Sequence, residues 1–344
     1  MSEPVLSIRG VRKYFSERRR LFGSTPPPIQ AVQNINLDLY SGDSLGVVGE
    51  SGCGKSTLAR TIVGIVPPTS GEIVYRGSDI ASLKGRERRE IYKHIQFVFQ
   101  DPTSSLNPRK TVREILSAPM IELLGLDRRE AEQRAKALMD KVNMRPEFLD
   151  RHPHEFSGGQ AQRIGIARAL ATTPEVLILD EPVSALDVSI QAQILQLLKS
   201  LKSDLGLTYL FISHDLAVVD NLCDRVAVMY LGSVMEEGSA HRIFDNPRHP
   251  YTNVLLASIP HPDQHETTSI RLSGDLPNPA DPPPGCPFQP RCYRATAQCA
   301  QSKPPLTDYG SGHKAACFYA DAPEPPPAAP LESQAVAETA DVSG

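Results

Sequence analysis

A glycine-rich loop between an apolar run and a helical pattern constrains the fold of this chain most strongly. The apolar run covers residues 44–48, the loop covers 49–56, and a helix should start near Lys55. Loops of this kind point backbone N–H groups at phosphate oxygens, and the helix start adds the positive end of its dipole. We therefore predict a nucleotide-binding loop made of Gly49, Glu50, Ser51, Gly52, Cys53, Gly54, Lys55, Ser56 and Thr57.

Two acidic residues, Asp180 and Glu181, stand at the end of a second apolar run, residues 176–179. Ligands of open α/β sheets bind at the carboxyl ends of the strands, so these acids should lie beside the phosphates. We predict that Lys55 contacts the β- and γ-phosphates, and that Ser56 and Asp180 bind Mg²⁺. Glu181 is then placed to polarise the attacking water. The alternative interpretation of the two acids is a strand end followed by an ordinary helix cap.

A second glycine-rich segment, formed by Ser157, Gly158, Gly159 and Gln160, precedes an apolar helical pattern. Ser157 is a natural N-cap, and a hydroxyl with free N–H groups at a helix start also makes an anion site. Such a segment can close over phosphates held by another copy. The segment is a weak signal in isolation, because Ser-Gly-Gly is common in loops.

The alternation of strands and helices predicts an α/β fold of the P-loop NTPase type with a mixed or mostly parallel sheet. An N-terminal antiparallel β part is expected at 5–9 and 34–40, where apolar and polar residues alternate. Residues of about 104–173 are mostly helical in pattern and should form an inserted helical subdomain. The core strands are predicted at 44–48, 95–99, 176–179, 208–212 and 225–231.

The composition divides the chain into three predicted parts. Residues 1–258 should form the nucleotide-binding domain, and residues 259–320 an irregular, cysteine-containing C-terminal extension in which proline is frequent. Residues 321–344 are rich in Pro, Ala and acidic side chains and should be disordered, because they bury too little apolar area to offset the ordering entropy.

Charge and hydropathy exclude some classes of function. The net charge of −4 gives no global electrostatic argument for binding nucleic acid. No apolar stretch approaches the roughly 18 residues that span a bilayer, and no signal peptide opens the chain. We expect a cytosolic protein whose partner subunits supply any membrane spans.

The order of these motifs resembles that of the ATP-binding subunits of ABC transporters over about residues 5–245. Residues 157–160 resemble the signature motif of that family, with Phe156 in the position usually held by leucine. The resemblance implies a head-to-tail dimer with two ATP molecules at the interface. Each ATP would lie between the phosphate loop of one subunit and the signature helix of the other.

The same resemblance implies roles for single residues that would otherwise be unremarkable. Gln100 resembles the Q-loop glutamine, which also contacts Mg²⁺, and His214 resembles the switch histidine; with Glu181 they form the implied catalytic set. Asp187 resembles the D-loop aspartate. Phe15 resembles the aromatic residue that stacks on adenine, although neighbouring Tyr14 is an alternative.

The C-terminal part is similar to the end of the oligopeptide/dipeptide importer ATPases, at residues 246–252 and 285–292. Residues 13–15 and 21–23 look more like the F-type than the D-type subunit. The resemblance implies ATP hydrolysis that drives uptake of di- or oligopeptides at the cytoplasmic face of the bacterial plasma membrane. The implied partners are a D-type ATPase subunit, two membrane permease subunits and an extracytoplasmic peptide-binding protein, with no nucleic acid.

Other functions stay open at the level of sequence. Related importers carry nickel chelates, glutathione or opines instead of peptides. A soluble ABC ATPase of translation or DNA repair is a further alternative, although the chain has one phosphate loop and no heptad run. A third alternative is an ATPase whose C-terminal cysteines act as a redox sensor.

Four late cysteines, Cys286, Cys292, Cys299 and Cys317, are candidate metal ligands. Their spacings lack the close Cys-x2-Cys pairs of common zinc sites. Four thiolates suit a 4Fe–4S cluster or Zn²⁺ equally on ligand count, and the family resemblance favours the 4Fe–4S cluster. The competing interpretation is a reduced loop without metal.

Overall fold

The computed structural model of the protein describes residues 3–16, 26–258 and 274–322. The predictions for residues 21–23 and for nearly all of the tail at 321–344 lie outside the described residues. The first part of the predicted C-terminal extension, residues 259–273, lies outside them as well.

The described residues form strands and helices in an α/β arrangement. The strands are β1 (Leu6–Phe15), β2 (Ile29–Leu39), β3 (Ser44–Val48), β4 (Ser70–Tyr75), β5 (Ser78–Asp79), β6 (Ile95–Val98), β7 (Val176–Asp180), β8 (Thr208–Ser213), β9 (Arg225–Tyr230), β10 (Ser233–Ser239), β11 (Thr307–Asp308) and β12 (Lys314–Ala315). The α-helices are α1 (Lys55–Ile62), α2 (Gly85–His94), α3 (Pro102–Ser105), α4 (Val112–Leu124), α5 (Arg128–Lys141), α6 (Gly158–Leu170), α7 (Val188–Leu205), α8 (Leu216–Leu222), α9 (Ala240–Asp245), α10 (Pro250–Ala257) and α11 (Ala297–Gln301). Short 3₁₀ turns cover Pro146–Asp150, Pro153–Glu155 and Gln289–Arg291. None of the helices described here is long and apolar enough to cross a membrane.

The central sheet is mixed, which confirms the predicted fold class. Its strand order is β11-β12-β10-β9-β3-β8-β7-β6, and the five strands from β9 to β6 run parallel. All five residues of β3 are buried, because both faces of the sheet are covered, and this explains its nearly continuous apolar sequence. The carboxyl ends of β3, β6, β7 and β8 meet at one edge of the sheet. The candidate site forms at that edge.

The N-terminal strands form the predicted antiparallel sheet, in the order β2-β1-β4-β5. Its apolar side chains, such as Leu6, Ile8 and Leu37, pack into one core with α1 and one face of the central sheet. A second core on the opposite face joins α7 and α8 to the helical subdomain. Phe15 stands at the end of β1 and is 41% exposed.

The predicted helical subdomain consists of α3 to α6. Three of its helices, α4, α5 and α6, begin with a complete capping box, in which side chains satisfy the free backbone N–H groups. Thr111 and Glu114 form the first box. Asp127 and Glu130 form the second, as their spacing predicts.

The C-terminal extension is packed onto the central sheet. Strand β12 pairs antiparallel with β10, and β11 pairs with β12, so the extension lengthens the sheet at that edge. Phe288 is fully buried, and its ring centroid lies 5.3 Å from that of Tyr230 and 5.2 Å from that of Tyr251. The extension therefore shares the core of the nucleotide-binding domain.

Candidate nucleotide-binding site

The phosphate loop connects β3 to α1, and α1 begins at Lys55 as predicted. Gly54 has φ +106°, and a Cβ atom there would overlap the carbonyl oxygen of Ala31. Gly49 has φ +151°, and a Cβ atom there would overlap the carbonyl oxygen of Met229. Glycine is therefore required at both positions, because neighbouring backbone presses on the loop from outside.

The side chain of Lys55 is folded back along this loop. Its Nζ atom donates hydrogen bonds to the carbonyl oxygens of Gly49 at 2.7 Å and Glu50 at 3.0 Å, and the residue is 4% exposed. The loop thus holds a buried cation at its centre, where a polyphosphate is the chemically matched ligand.

Ser56 and Asp180 come together from elements far apart in the chain. The Ser56 hydroxyl donates a hydrogen bond to Asp180 Oδ1 at 2.7 Å. Asp180 is 1% exposed, and its Oδ2 atom has no hydrogen-bond partner within the described residues, although the Arg60 guanidinium lies 3.8 Å away. Burial raises the pKa of Asp180, and the Ser56 hydrogen bond opposes that effect. An under-satisfied buried carboxylate beside a hydroxyl is a donor set that fits Mg²⁺.

The three residues of the implied catalytic set meet at one oxygen atom. Glu181 Oε2 lies 3.0 Å from His214 Nδ1 and 3.3 Å from Gln100 Nε2. Glu181 itself has φ +46°, a conformation that non-glycine residues rarely adopt. Such strain is typical of residues held in place for function.

A cavity of about 420 Å³ lies between the phosphate loop and the end of β7. The lining includes Phe15, Lys55, Ser56, Gln100 and Glu181. Tyr14, the alternative candidate for stacking on adenine, lines a different cavity, so the geometry favours Phe15. Part of the proline-rich segment also borders the site, because Pro279 lines the same cavity and its carbonyl accepts a hydrogen bond from the Gln30 N–H at 2.9 Å.

The predicted signature residues lie at the start of α6, away from this cavity. Ser157 caps the helix, its Oγ accepting from the Gln160 N–H at 3.4 Å, while the Gln160 side chain accepts from the Ser157 N–H at 3.1 Å. Ser157 and Gly158 are exposed, and so is Asp187 at the start of α7. None of residues 157–160 belongs to the lining described above for the phosphate loop of their own chain.

The four late cysteines line one small cavity of about 20 Å³ together with His249. Burial raises the pKa of Cys286 to about 11 and that of Cys292 to about 12. Among the residues that the structure describes, however, no group of three or more His, Cys, Asp or Glu side chains is placed to hold a metal ion. The cysteines converge as the ligand hypothesis requires, but their arrangement does not support the predicted metal centre.

Sequence patterns missed two residues that contact the phosphate loop. The Tyr251 hydroxyl accepts a hydrogen bond from the Glu50 N–H at 2.9 Å. Arg291 forms an ion pair with the Glu50 carboxylate at 3.0 Å. Both residues lie in segments that mark the importer resemblance, and that was the only signal pointing to them.

A phosphate loop after β3, two consecutive carboxylates at the end of β7 and a polar pocket at the same sheet edge define the class of P-loop nucleotide-hydrolysing proteins. Comparison with known proteins narrows the class. The family model "ABC transporter" matches residues 32–184, and the model "Oligopeptide/dipeptide transporter, C-terminal region" matches residues 235–299.

Individual relatives match over nearly the whole chain. The oligopeptide transport ATP-binding protein OppF of Haemophilus influenzae is 48% identical over 90% of this chain and 94% of its own length. The oligopeptide transport ATP-binding protein AppF of Bacillus subtilis is 48% identical over 92% of this chain and 97% of its own. A solved dimeric ATP-binding cassette in a post-hydrolysis state with ADP and Pi matches with a TM-score of 0.61 and 30% identity, covering 68% of this chain and 98% of that one.

The chain therefore belongs to the ABC transporter ATP-binding proteins, in the branch that carries the oligopeptide/dipeptide transporter C-terminal region, and it is an ATPase. This confirms the predicted family. Neither the soluble ABC ATPase nor the redox-sensing ATPase is favoured by these comparisons.

Proposed function

We propose that this protein hydrolyses ATP to energise the uptake of di- or oligopeptides through partner membrane subunits. The observation that carries the proposal is the contact of the Glu181 carboxylate with Gln100 and His214. Glu181 and Gln100 line one cavity together with Ser56, whose hydroxyl donates to Asp180. The relatives are oligopeptide and dipeptide transport ATP-binding proteins, which supports peptides as the cargo.

In this proposal the chain's own residues perform the hydrolysis. Lys55 turns from the loop carbonyls to the β- and γ-phosphates, and the adenine stacks on Phe15. Glu181 accepts a proton from the attacking water, while His214 and Gln100 hold the Glu181 carboxylate in position. Ser56, Asp180 and Gln100 would hold Mg²⁺, which neutralises developing charge on the phosphates.

We propose that residues 157–160 serve the ATP of a second subunit. Ser157 and Gly158 are exposed at the start of α6, where free N–H groups and the helix dipole favour an anion. Asp187 is also exposed, and neighbouring Val188 is 82% exposed, an unusual degree for valine on a free surface. A head-to-tail dimer, with a D-type ATPase as the partner, would cover these residues.

The proposed contact with the permease subunits is a groove of about 450 Å³ between β6 and α4. Its lining is largely apolar and includes Ile65, Phe97, Phe99 and Leu123. Ile65 is 52% exposed. The groove follows the strand that leads to Gln100, so a helix seated there can sense the state of the ATP site. In this proposal the protein works at the cytoplasmic face of the plasma membrane, beneath the permease and opposite the extracytoplasmic peptide-binding protein.

We also propose that the extension at 259–320 carries a 4Fe–4S cluster. Four thiols that line one cavity form a suitable donor set. Burial raises the pKa values of Cys286 and Cys292, and ligation would replace the protons of these two thiols. The cavity of about 20 Å³ must widen to hold the cluster. Brown anaerobic protein with absorbance near 400 nm, lost in Cys292→Ser, supports the cluster; colourless protein with stoichiometric zinc contradicts it.

The test of the main proposal is reconstitution of the complete importer in proteoliposomes. Peptide-loaded binding protein should stimulate ATP hydrolysis and peptide accumulation together. Lys55→Ala should abolish both activities, whereas Lys141→Ala, which alters an exposed lysine at the end of α5, should leave both unchanged. ATP-dependent accumulation of nickel, glutathione or an opine, without peptide, would overturn the cargo assignment and leave the ATPase assignment intact.

A further inference from the structure

Glu50, the second residue of the phosphate loop, is paired with an arginine from the far end of the chain. Arg291 Nη1 lies 3.0 Å from Glu50 Oε1 and 3.0 Å from Oε2. The Arg291 side chain is 6% exposed, and it also donates to the Tyr230 hydroxyl at 3.3 Å. The guanidinium is therefore nearly removed from solvent, while the Glu50 side chain is 25% exposed, so the ion pair is partly buried and stronger than one at the surface.

The backbone of Glu50 is fixed as well. Its N–H donates to the hydroxyl of Tyr251, a residue with no exposed surface, and its carbonyl accepts from Lys55 Nζ. Glu50 is thus held at its N–H, its carbonyl and its carboxylate. The contacts at its N–H and its carboxylate come from Tyr251 and Arg291, which follow Glu50 in the sequence by 201 and 241 positions.

Arg291 belongs to the extension and Tyr251 to α10, and Phe288 links the two segments. Arg291 ends the 3₁₀ turn Gln289–Arg291, and Phe288 immediately before that turn packs against the Tyr230 and Tyr251 rings. The packing of Phe288 against these two tyrosine rings therefore holds the turn that carries Arg291 next to the phosphate loop.

A carboxylate on a loop that binds phosphates is electrostatically unfavourable unless a cation neutralises it. Nucleotide triphosphates carry several negative charges, and a second anion nearby raises the free energy of the bound state. Removing one member of a buried ion pair leaves the other as an uncompensated charge. Arg291 is the cation that the structure places against the Glu50 carboxylate.

We propose that Arg291 is a positioning residue for ATP binding, and that the C-terminal extension sets the ATP affinity of the phosphate loop through the Arg291–Glu50 pair. Arg291 neutralises the Glu50 carboxylate and holds it away from the phosphates. The Tyr251 hydroxyl fixes the position of the Glu50 backbone N–H. This inference rests on the proposed function, because it requires ATP to bind at Lys55.

The experiment compares ATP affinity in purified full-length variants by titration of a fluorescent ATP analogue and by KM. Arg291→Met should weaken binding about tenfold, the size of a typical coupling between sites, while kcat changes far less than KM. The loss should shrink as KCl is raised, because salt screens the exposed Glu50 charge from the phosphates. Arg291→Lys should restore much of the affinity, and so should Glu50→Gln placed in the Arg291→Met protein.

Two further variants make the outcome decisive. Arg242→Met removes a different arginine contact of the extension, a 3.3 Å hydrogen bond to the Gly310 carbonyl, and should leave ATP affinity unchanged. Tyr251→Phe removes only the hydroxyl at Glu50 and should weaken binding in the same direction as Arg291→Met, which keeps the test valid if Arg291→Met is unstable.

Affinity equal to wild type in both Arg291→Met and Tyr251→Phe would overturn the inference, provided that Lys55→Ala loses ATP binding. A loss in Arg291→Met that neither salt nor Glu50→Gln relieves would also overturn it, because the effect would then be structural. Normal ATP binding in Lys55→Ala would instead refute the proposed function.

Discussion

Replacement of Glu181 by glutamine tests the chemistry of the site with little change in its shape. Glutamine has the same length and can still accept a hydrogen bond from Gln100 or His214, which lie 3.3 and 3.0 Å from Glu181 Oε2. It cannot accept a proton from water at neutral pH. The substitution therefore removes a base and leaves Lys55, Ser56 and the phosphate loop unaltered.

The size of the effect follows from the role assigned to the carboxylate. General-base assistance contributes about 10²–10⁴-fold to a rate, and at about 1.4 kcal/mol per decade its loss raises the barrier by about 3–6 kcal/mol. ATP affinity should be equal to or higher than that of wild type, because one negative charge has left the neighbourhood of the phosphates. The prediction is thus a large fall in kcat with no rise in KM.

Phosphate release in single- and multiple-turnover assays, combined with a nucleotide-binding titration, measures both quantities. Glu147→Gln, an exposed glutamate in the 3₁₀ turn Pro146–Asp150, is the matched control and should behave as wild type. Hydrolysis in Glu181→Gln within threefold of wild type would refute the assignment of Glu181 as base. A loss of ATP binding would show that the carboxylate acts in binding instead.

Two further predictions concern neighbouring parts of the site. His214→Ala should lower kcat and leave ATP binding intact, because His214 contacts Glu181 and is not part of the lining described for the nucleotide cavity; unchanged turnover in the phosphate-release assay would contradict this. Gly159→Ala should destabilise the protein by about 1–3 kcal/mol in urea unfolding, because the added Cβ would lie 2.5 Å from Ile190 Cγ2. Ile190→Ala in the same chain should recover part of that loss, and a lack of recovery would point to a different cause.

Local sequence patterns predicted the elements that carry the chemistry. The phosphate loop needs glycine where backbone crowds it, so its signature is contained within residues 49–56. Buried parallel strands such as β3 and β7 are nearly all apolar, so the positions at which they end could be predicted from the sequence. The capping box of Asp127 and Glu130 is a short-range pairing and was equally predictable.

The contacts between distant segments could not be predicted in this way. Ser56 reaches Asp180 because β3 and β7 both pair with β8. The spacing of apolar residues within a strand does not reveal the order of strands in the sheet. The Arg291–Glu50 pair joins residues 241 positions apart. An isolated arginine between two cysteines gives no sign of its partner, because its pairing depends on how the extension packs.

The extension also shows why a change in composition is a poor guide to a folding boundary. The sequence suggests a division near residue 258, yet Glu236 of β10 is completely buried and lies 2.6 Å from the His313 Nε2 atom of the extension. The Glu236 carboxylate accepts two more hydrogen bonds, from the Arg248 and His249 N–H groups. Removing the extension would expose the edge of β10 and take away one partner of a buried carboxylate, which is costly. The described part of the extension, residues 274–320, therefore helps to keep the ATPase core folded, and its Arg291 contacts the phosphate loop.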